Sequence, residues 1–195
     1  MSIIKTSALG LTADATNLVK ISSQTISSGT ASVEFTSGID STYKLYKFEF
    51  ISVHPATDDV DFGFSLSTDG GSNYNLAKTG SGHQMQGAED GGHFASATES
   101  VLNSAQVTGR TPLSHSTGNG ADEQFSGHMF LYNPSSTTFT KSYLSFIQNY
   151  FRGDIALMHI VQGYANTTSD IDAVKFEFSS GNIDAGTFTM YGVKT

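Results

Sequence analysis

Residues 46–50 read Tyr-Lys-Phe-Glu-Phe and residues 174–178 read Val-Lys-Phe-Glu-Phe. In each, large apolar side chains alternate with charged ones. An extended chain sends successive side chains to opposite faces, so both segments have one aromatic face and one charged face. A helix would scatter the same residues around its axis. Both segments are therefore predicted to be half-buried strands, and a strand with one aromatic face needs a second layer to cover it.

The same period extends outward from these two segments. Ile51 and Val53 fall on the opposite phase to Phe50, which predicts a bulge or a covered second face, and His54-Pro55 ends the strand. Phe62, Phe64 and Leu66 alternate with Gly63 and Ser65, and Thr68-Asp69-Gly70-Gly71-Ser72 reads as a hairpin turn. Ser126–Tyr132, Phe139–Phe151 and Ile155–Tyr164 are strand-like. The last two are predicted to be antiparallel central neighbours joined through Arg152-Gly153-Asp154. Ser179-Ser180-Gly181-Asn182 forms a loop, and Thr187–Val193 is the closing strand.

Residues 75–125 are poor in apolar runs, with short strands expected only near Phe94–Ala97 and Ser100–Val107. Six to nine strands result, and no segment carries a helical repeat. The fold expected is all-β, a jelly-roll-like antiparallel β-sandwich over residues 31–195. Residues 1–30, anchored only by Leu18 to Ile21 and Ile26, are read as an extended N-terminal arm or edge strand. This segment is a possible docking element, and deleting residues 1–25 is expected to spare the sandwich. Phe48, Phe50, Phe62, Phe64, Phe176 and Phe178 are the expected core, each worth roughly 2–3 kcal/mol on burial.

Composition agrees and excludes several functions. Ser 27, Thr 22 and Gly 20 supply polar turns, while Phe 14 and Tyr 8 supply the aromatic mass of a chain of 195 residues. The formal net charge of -8, with no run of Lys or Arg, argues against nucleic acid and anionic membranes as partners. Cys 0 removes disulfides, thiol catalysis and cysteine-based zinc sites. The opening MSIIKTSALG is too weakly apolar for a signal peptide, and no apolar run approaches the ~20 residues of a membrane span. The expectation is a soluble protein not exported by the usual route.

Candidate chemistry is sparse. Asp58, Asp59, Asp61 and Asp69 form the densest carboxylate group and are the candidate Ca2+ ligands, set against ordinary turn-capping. His83, His93, His115, His128 and His159 lack the spacing of a ligand pair on a strand or helix. No GxSxG elbow and no phosphate loop is present. Asn166-Thr167-Thr168 and Arg152-Gly153-Asp154 read as turns. No residue is assigned as catalytic, cofactor-binding or metal-ligating, and no cofactor is expected. Tyr43, Tyr46, Tyr74, Tyr132, Tyr143, Tyr150, Tyr164 and Tyr191 are too many for one core, so some are expected to face a partner.

The stretch Phe178-Ser179-Ser180-Gly181-Asn182-Ile183-Asp184-Ala185-Gly186-Thr187, closing on Met190-Tyr191-Gly192-Val193, resembles the end of β-rich virion proteins of tailed bacteriophages of the marine and cyanophage type. Ser37-Gly38-Ile39-Asp40-Ser41-Thr42-Tyr43, Pro55-Ala56-Thr57-Asp58, Ser67 to Gly71, and Leu131-Tyr132-Asn133-Pro134-Ser135-Ser136 extend the likeness over roughly residues 30–193. The resemblance implies a structural component of the virion, on tail, fibre or capsid surface, without catalysis. The partners expected are copies of itself, with a trimer favoured, and other virion proteins. A carbohydrate-binding module recognising a host surface glycan is the alternative, and a polysaccharide hydrolase comes third.

Overall fold

The computed structural model describes residues 17–151 and 153–194. The described residues form thirteen strands: β1 (Leu18–Ile26), β2 (Val33–Phe35), β3 (Leu45–Pro55), β4 (Phe62–Ser67), β5 (Lys78–Ala88), β6 (Phe94–Thr98), β7 (Ser104–Val107), β8 (Thr111–Pro112), β9 (Phe125–Tyr132), β10 (Lys141–Phe151), β11 (Ile155–Ala165), β12 (Ala173–Phe178) and β13 (Ile183–Val193). One sheet has nine strands in the order β1-β13-β3-β9-β10-β11-β5-β6, with β7 also on the free edge of β5; the other has four, β2-β12-β4-β8. Every strand of the small sheet lies in sequence between strands of the large one. The chain therefore crosses repeatedly between layers, which is the jelly-roll-like feature of this antiparallel β-sandwich. All pairings are antiparallel.

The two opening segments sit in opposite layers. Tyr46, Phe48 and Phe50 on β3 and Val174, Phe176 and Phe178 on β12 are buried between the sheets, while Lys47–Glu49 and Lys175–Glu177 form ion pairs on the outer faces at 2.7 and 3.1 Å. Across the interface Phe50 meets Phe176 at 5.0 Å and 72°, and Phe62 meets Phe125 at 4.5 Å. These tilted and edge-on contacts are the preferred ring geometries and add about 0.5–1.5 kcal/mol per pair to the burial term. Tyr46 reaches the end of this core, where its hydroxyl accepts from the Asp40 amide and donates to the Asp40 carbonyl at 2.9 and 3.0 Å. The Ser37–Tyr43 loop is thereby fixed to β3.

The phase change after Phe50 is a bulge. Ser52 has φ 49, and the β3–β9 register shifts between Phe50 and Val53, so Ile51 turns outward at 50% exposure while Val53 enters the core. Gly186 of β13 lies against the bulge with φ 130, and a Cβ there would stand 2.8 Å from the Val53 Cα. Only glycine suits that position.

Three expectations need correction. Thirteen strands stand where six to nine were expected. The difference lies mainly in β5 and β8, whose polar composition masks the strand period, while β7 falls within the expected Ser100–Val107 strand and β1 within the N-terminal segment read as an arm or edge strand. The turn at Asp69-Gly70-Gly71, with φ 70 and 88 at the glycines, is not a hairpin: β4 belongs to the small sheet and β5 to the large one, so it carries the chain between layers. β1 pairs with β13 from Leu18 to Ile26, and Ile21 and Ile26 pack on the core, so removing residues 1–25 would strip an integral edge strand. The part of the proposed arm at 1–16 lies outside the described residues.

Candidate functional site

The large sheet overhangs the four-stranded one, and the interior changes character along it. Beneath β3, β9 and β13 it is phenylalanine. Under β10, β11 and β5 the inward rows read Lys141/Ala165/Lys78, Tyr143/Gly163/Gly80, Ser145/Val161/Gly82, Ile147/His159/Gln84 and Asn149/Leu157/Gln86. Both lysines are buried and donate to loop carbonyls. Lys78 Nζ bonds the Leu76 and Gly109 oxygens at 3.0 and 2.9 Å and lies 5.6 Å from the Phe64 ring centre; Lys141 Nζ bonds the Ser136 and Phe139 oxygens. Burial lowers the Lys78 ammonium to about 8.

A histidine pair lies in this polar half. His115 and His159, 44 residues apart in sequence, approach to 6.3 Å between ring centres. His115 Nδ1 is 3.3 Å from the Asp61 carboxylate, whose hydrogen bond raises its pKa despite burial. His159 is fully buried with Nε2 2.8 Å from Gln84 Oε1; burial, with the neighbouring His115, lowers it to about 3. Its Nδ1, together with Asn149 Oδ1 and the Tyr143, Ser104, Thr111 and Ser114 hydroxyls, has no protein partner.

Asp61, His115 and Ser116 repeat the composition of a nucleophilic triad but not its geometry. Ser116 Oγ stands 3.0 Å from Nδ1 and 3.2 Å from Nε2, crowding the nitrogen that Asp61 already faces, and Ser116 is buried at 6% exposure. Its backbone N–H also donates to Asp61 at 3.1 Å. A triad needs serine and carboxylate on opposite ring nitrogens, with the serine open to substrate. The three residues clasp the 113–117 loop to the start of β4.

The carboxylates singled out in sequence do not converge. Asp58 accepts the Asn119 N–H at 3.3 Å, and Asp61 serves His115. Asp69, at the other end of β4, accepts from Ser67 and Asn73 in the crossing turn. Among the described residues no group of three or more His, Asp or Glu is placed to hold a metal ion. Of the remaining histidines, His83 bonds Ser96 at 2.7 Å and His128 packs on Phe130 and Phe146 at 5.0 and 5.5 Å, both on the outer face of the large sheet.

His54, not singled out in sequence, borders a cleft of about 440 Å³ with Asp122, Glu123 and Asp184. Its Nδ1 is 2.7 Å from Asp184 and its Nε2 3.0 Å from the Gly120 carbonyl. Burial disfavours the imidazolium, but these two acceptors outweigh it and the pKa rises. Both ring nitrogens face acceptors, so the site favours the imidazolium, which donates to both.

The outward positions of β9, β10 and β11 on the large sheet carry no Asp, Glu, Lys or Arg. Register places Phe130 opposite Leu144, and His128 opposite Phe146 opposite Ile160, with Met158, Tyr132 and Tyr164 in adjoining rows. None of these is fully buried, and Tyr132 and Tyr164 are 38% and 39% exposed. The tyrosines divide accordingly. Tyr46 and Tyr143 are core, Tyr43 packs edge-on to Tyr46 at 5.8 Å, Tyr74 donates to Glu34, and Tyr132, Tyr150, Tyr164 and Tyr191 stand on this face. Comparison with models of known protein families, with curated proteins and with solved structures finds no match.

Proposed function

We propose that the protein is a non-enzymatic structural component of a tailed-phage virion, a β-sandwich module that assembles with copies of itself on the particle surface, as capsid decoration or tail appendage. The observation that carries this reading is the outer face of β9, β10 and β11. The chain has a formal net charge of -8, yet the outward positions of these three strands hold no Asp, Glu, Lys or Arg. On neighbouring β3 the Lys47–Glu49 pair at 2.7 Å cancels its own charge. Identical acidic molecules repel each other except where their surfaces are neutral, and here the neutral surface is also aromatic and aliphatic. A cyclic contact through this face would bury Phe130, Leu144, Phe146 and Ile160 with no charge left unpaired.

The sequence likeness to virion proteins supplies the setting. Imaging of the intact particle encoded with this protein tests the assignment. Repeated density fitted by the sandwich at symmetry-related surface positions, with β9–β11 facing a neighbouring copy, is the expected result. Purified particles that lack the chain would overturn it.

A further inference from the structure

At the far end of the same outer face, one row across four strands reads Tyr150 on β10, Ala156 on β11, Gly87 on β5 and Phe94 on β6, each directly opposite the next. The backbones of the two aromatic residues thus stand about three strand spacings apart, roughly 14 Å, with only Ala156 and Gly87 between them. The result is an open trough of about 480 Å³, within the size range of small-ligand sites. Phe94 is 75% exposed, an unusual state for the side chain of a strand residue. Its ring leans over Gly87, where a Cβ would come within 3.1 Å of it, so one ring face is fixed by the glycine and the other is open to solvent. Tyr150 is held by a 2.6 Å hydrogen bond from its hydroxyl to Asp154 in the Arg152-Gly153-Asp154 link. The Glu89 N–H donates to the Asp154 carbonyl at 2.9 Å and ties the β5–β6 turn to the β10–β11 turn, so both walls of the trough belong to one frame.

We infer that this trough is a binding site for a neutral saccharide. The polar groups on its rim are Gln148, Glu89 and Asp154, and its described lining contains no Lys or Arg. Carboxylates and an amide around an aromatic floor accept hydrogen bonds from hydroxyls and repel anions. The apolar C–H face of a pyranose stacks on an aromatic ring whose π-face carries partial negative charge. Neutral sugars offer both features, whereas anionic glycans and phosphates meet two carboxylates. The inference goes beyond the assembly reading and does not depend on it, because the trough is complete within one chain.

The test applies the full chain to a panel of neutral hexasaccharides (gluco-, manno- and galacto-configured) and to sulfated counterparts, with saturation-transfer NMR and calorimetry as readouts. Expected are binding of at least one neutral hexasaccharide and at least a tenfold loss with Phe94→Ala. Ala156→Leu, which fills the floor from a different strand and leaves Phe94 in place, should lose as much. Phe139→Ala, a ring at 68% exposure in the loop before β10, should leave binding unchanged, as should Phe146→Glu, which separates this site from the self-association face. No neutral sugar bound at millimolar concentration, preference for the sulfated series, binding untouched by both trough variants, or occupation of the trough by a lysine-rich peptide in preference to any sugar would each overturn the inference.

Discussion

The two halves of the interior share one architecture and differ in what fills it. Under β3, β9 and β13, eight phenylalanines, Phe35, Phe48, Phe50, Phe62, Phe125, Phe176, Phe178 and Phe188, make a continuous network of ring contacts. Under β10, β11 and β5, the inward positions include two lysines, a histidine, an asparagine, a serine and glycines. The first half is held by burial of apolar area, which is insensitive to pH and tolerant of small shifts. The second is held by hydrogen bonds to loop carbonyls, which fix geometry but leave several polar atoms without a protein partner. A sandwich with one strongly apolar half can carry a half built for tying down loops.

The largest effect should come from the aromatic half. Phe176→Ala removes a ring in contact with Phe35, Phe48, Phe50, Phe62 and Phe188 and should cost roughly 3–5 kcal/mol in chemical denaturation. A loss below about 1 kcal/mol would show that the ring network is not what stabilises this half.

Acid should act on the polar half next. His159 titrates near 6.5 when unfolded and near 3 when folded, so the unfolded chain binds the extra proton between those values. Stability from this residue is complete above pH 6.5 and falls as pH drops towards 3, by about 3 kcal/mol at pH 4. His115 and His54 have raised values and work in the opposite sense: what they add is present below the unfolded pKa and is lost as pH rises through the folded one. His159→Gln should flatten the acid limb of a stability–pH curve. An unchanged limb would place the acid sensitivity elsewhere.

A smaller change is expected for Lys78→Met, about 2 kcal/mol, because the Leu76 and Gly109 carbonyls lose a charged donor while the apolar stem is kept. Stabilisation by the variant would mean that desolvation of the ammonium outweighs its bonds. At the bottom of the scale, Phe94→Ala should alter the unfolding free energy by no more than about 0.5 kcal/mol, since its ring is mostly in water.

The same contrast explains what could be read from the sequence. Val174–Phe178 and Tyr46–Phe50 announced their strands because aromatic and charged residues alternate there, and the antiparallel pairing of β10 with β11 followed from the short link between two apolar runs. β5 was invisible. Its inward residues are Lys78, Gly80, Gly82, Gln84 and Gln86 and its outward ones include Thr79, Ser81 and His83, so no hydropathy period exists to detect. Burial there is decided by neighbouring strands rather than by the segment itself. The His115–His159 pair and the Tyr150–Ala156–Gly87–Phe94 row were equally hidden, because each joins residues from separate strands whose register only the folded sheet defines.

Sedimentation equilibrium over a wide range of protein concentration, on wild type beside Phe146→Glu, most directly tests the claim that the neutral outer face is where copies meet. The account predicts concentration-dependent association of the wild type, approaching a trimer, and a single-chain mass of 20.7 kDa for the variant with its thermal unfolding unchanged. A wild type that stays at the single-chain mass throughout, or a variant that associates as the wild type does, would contradict it.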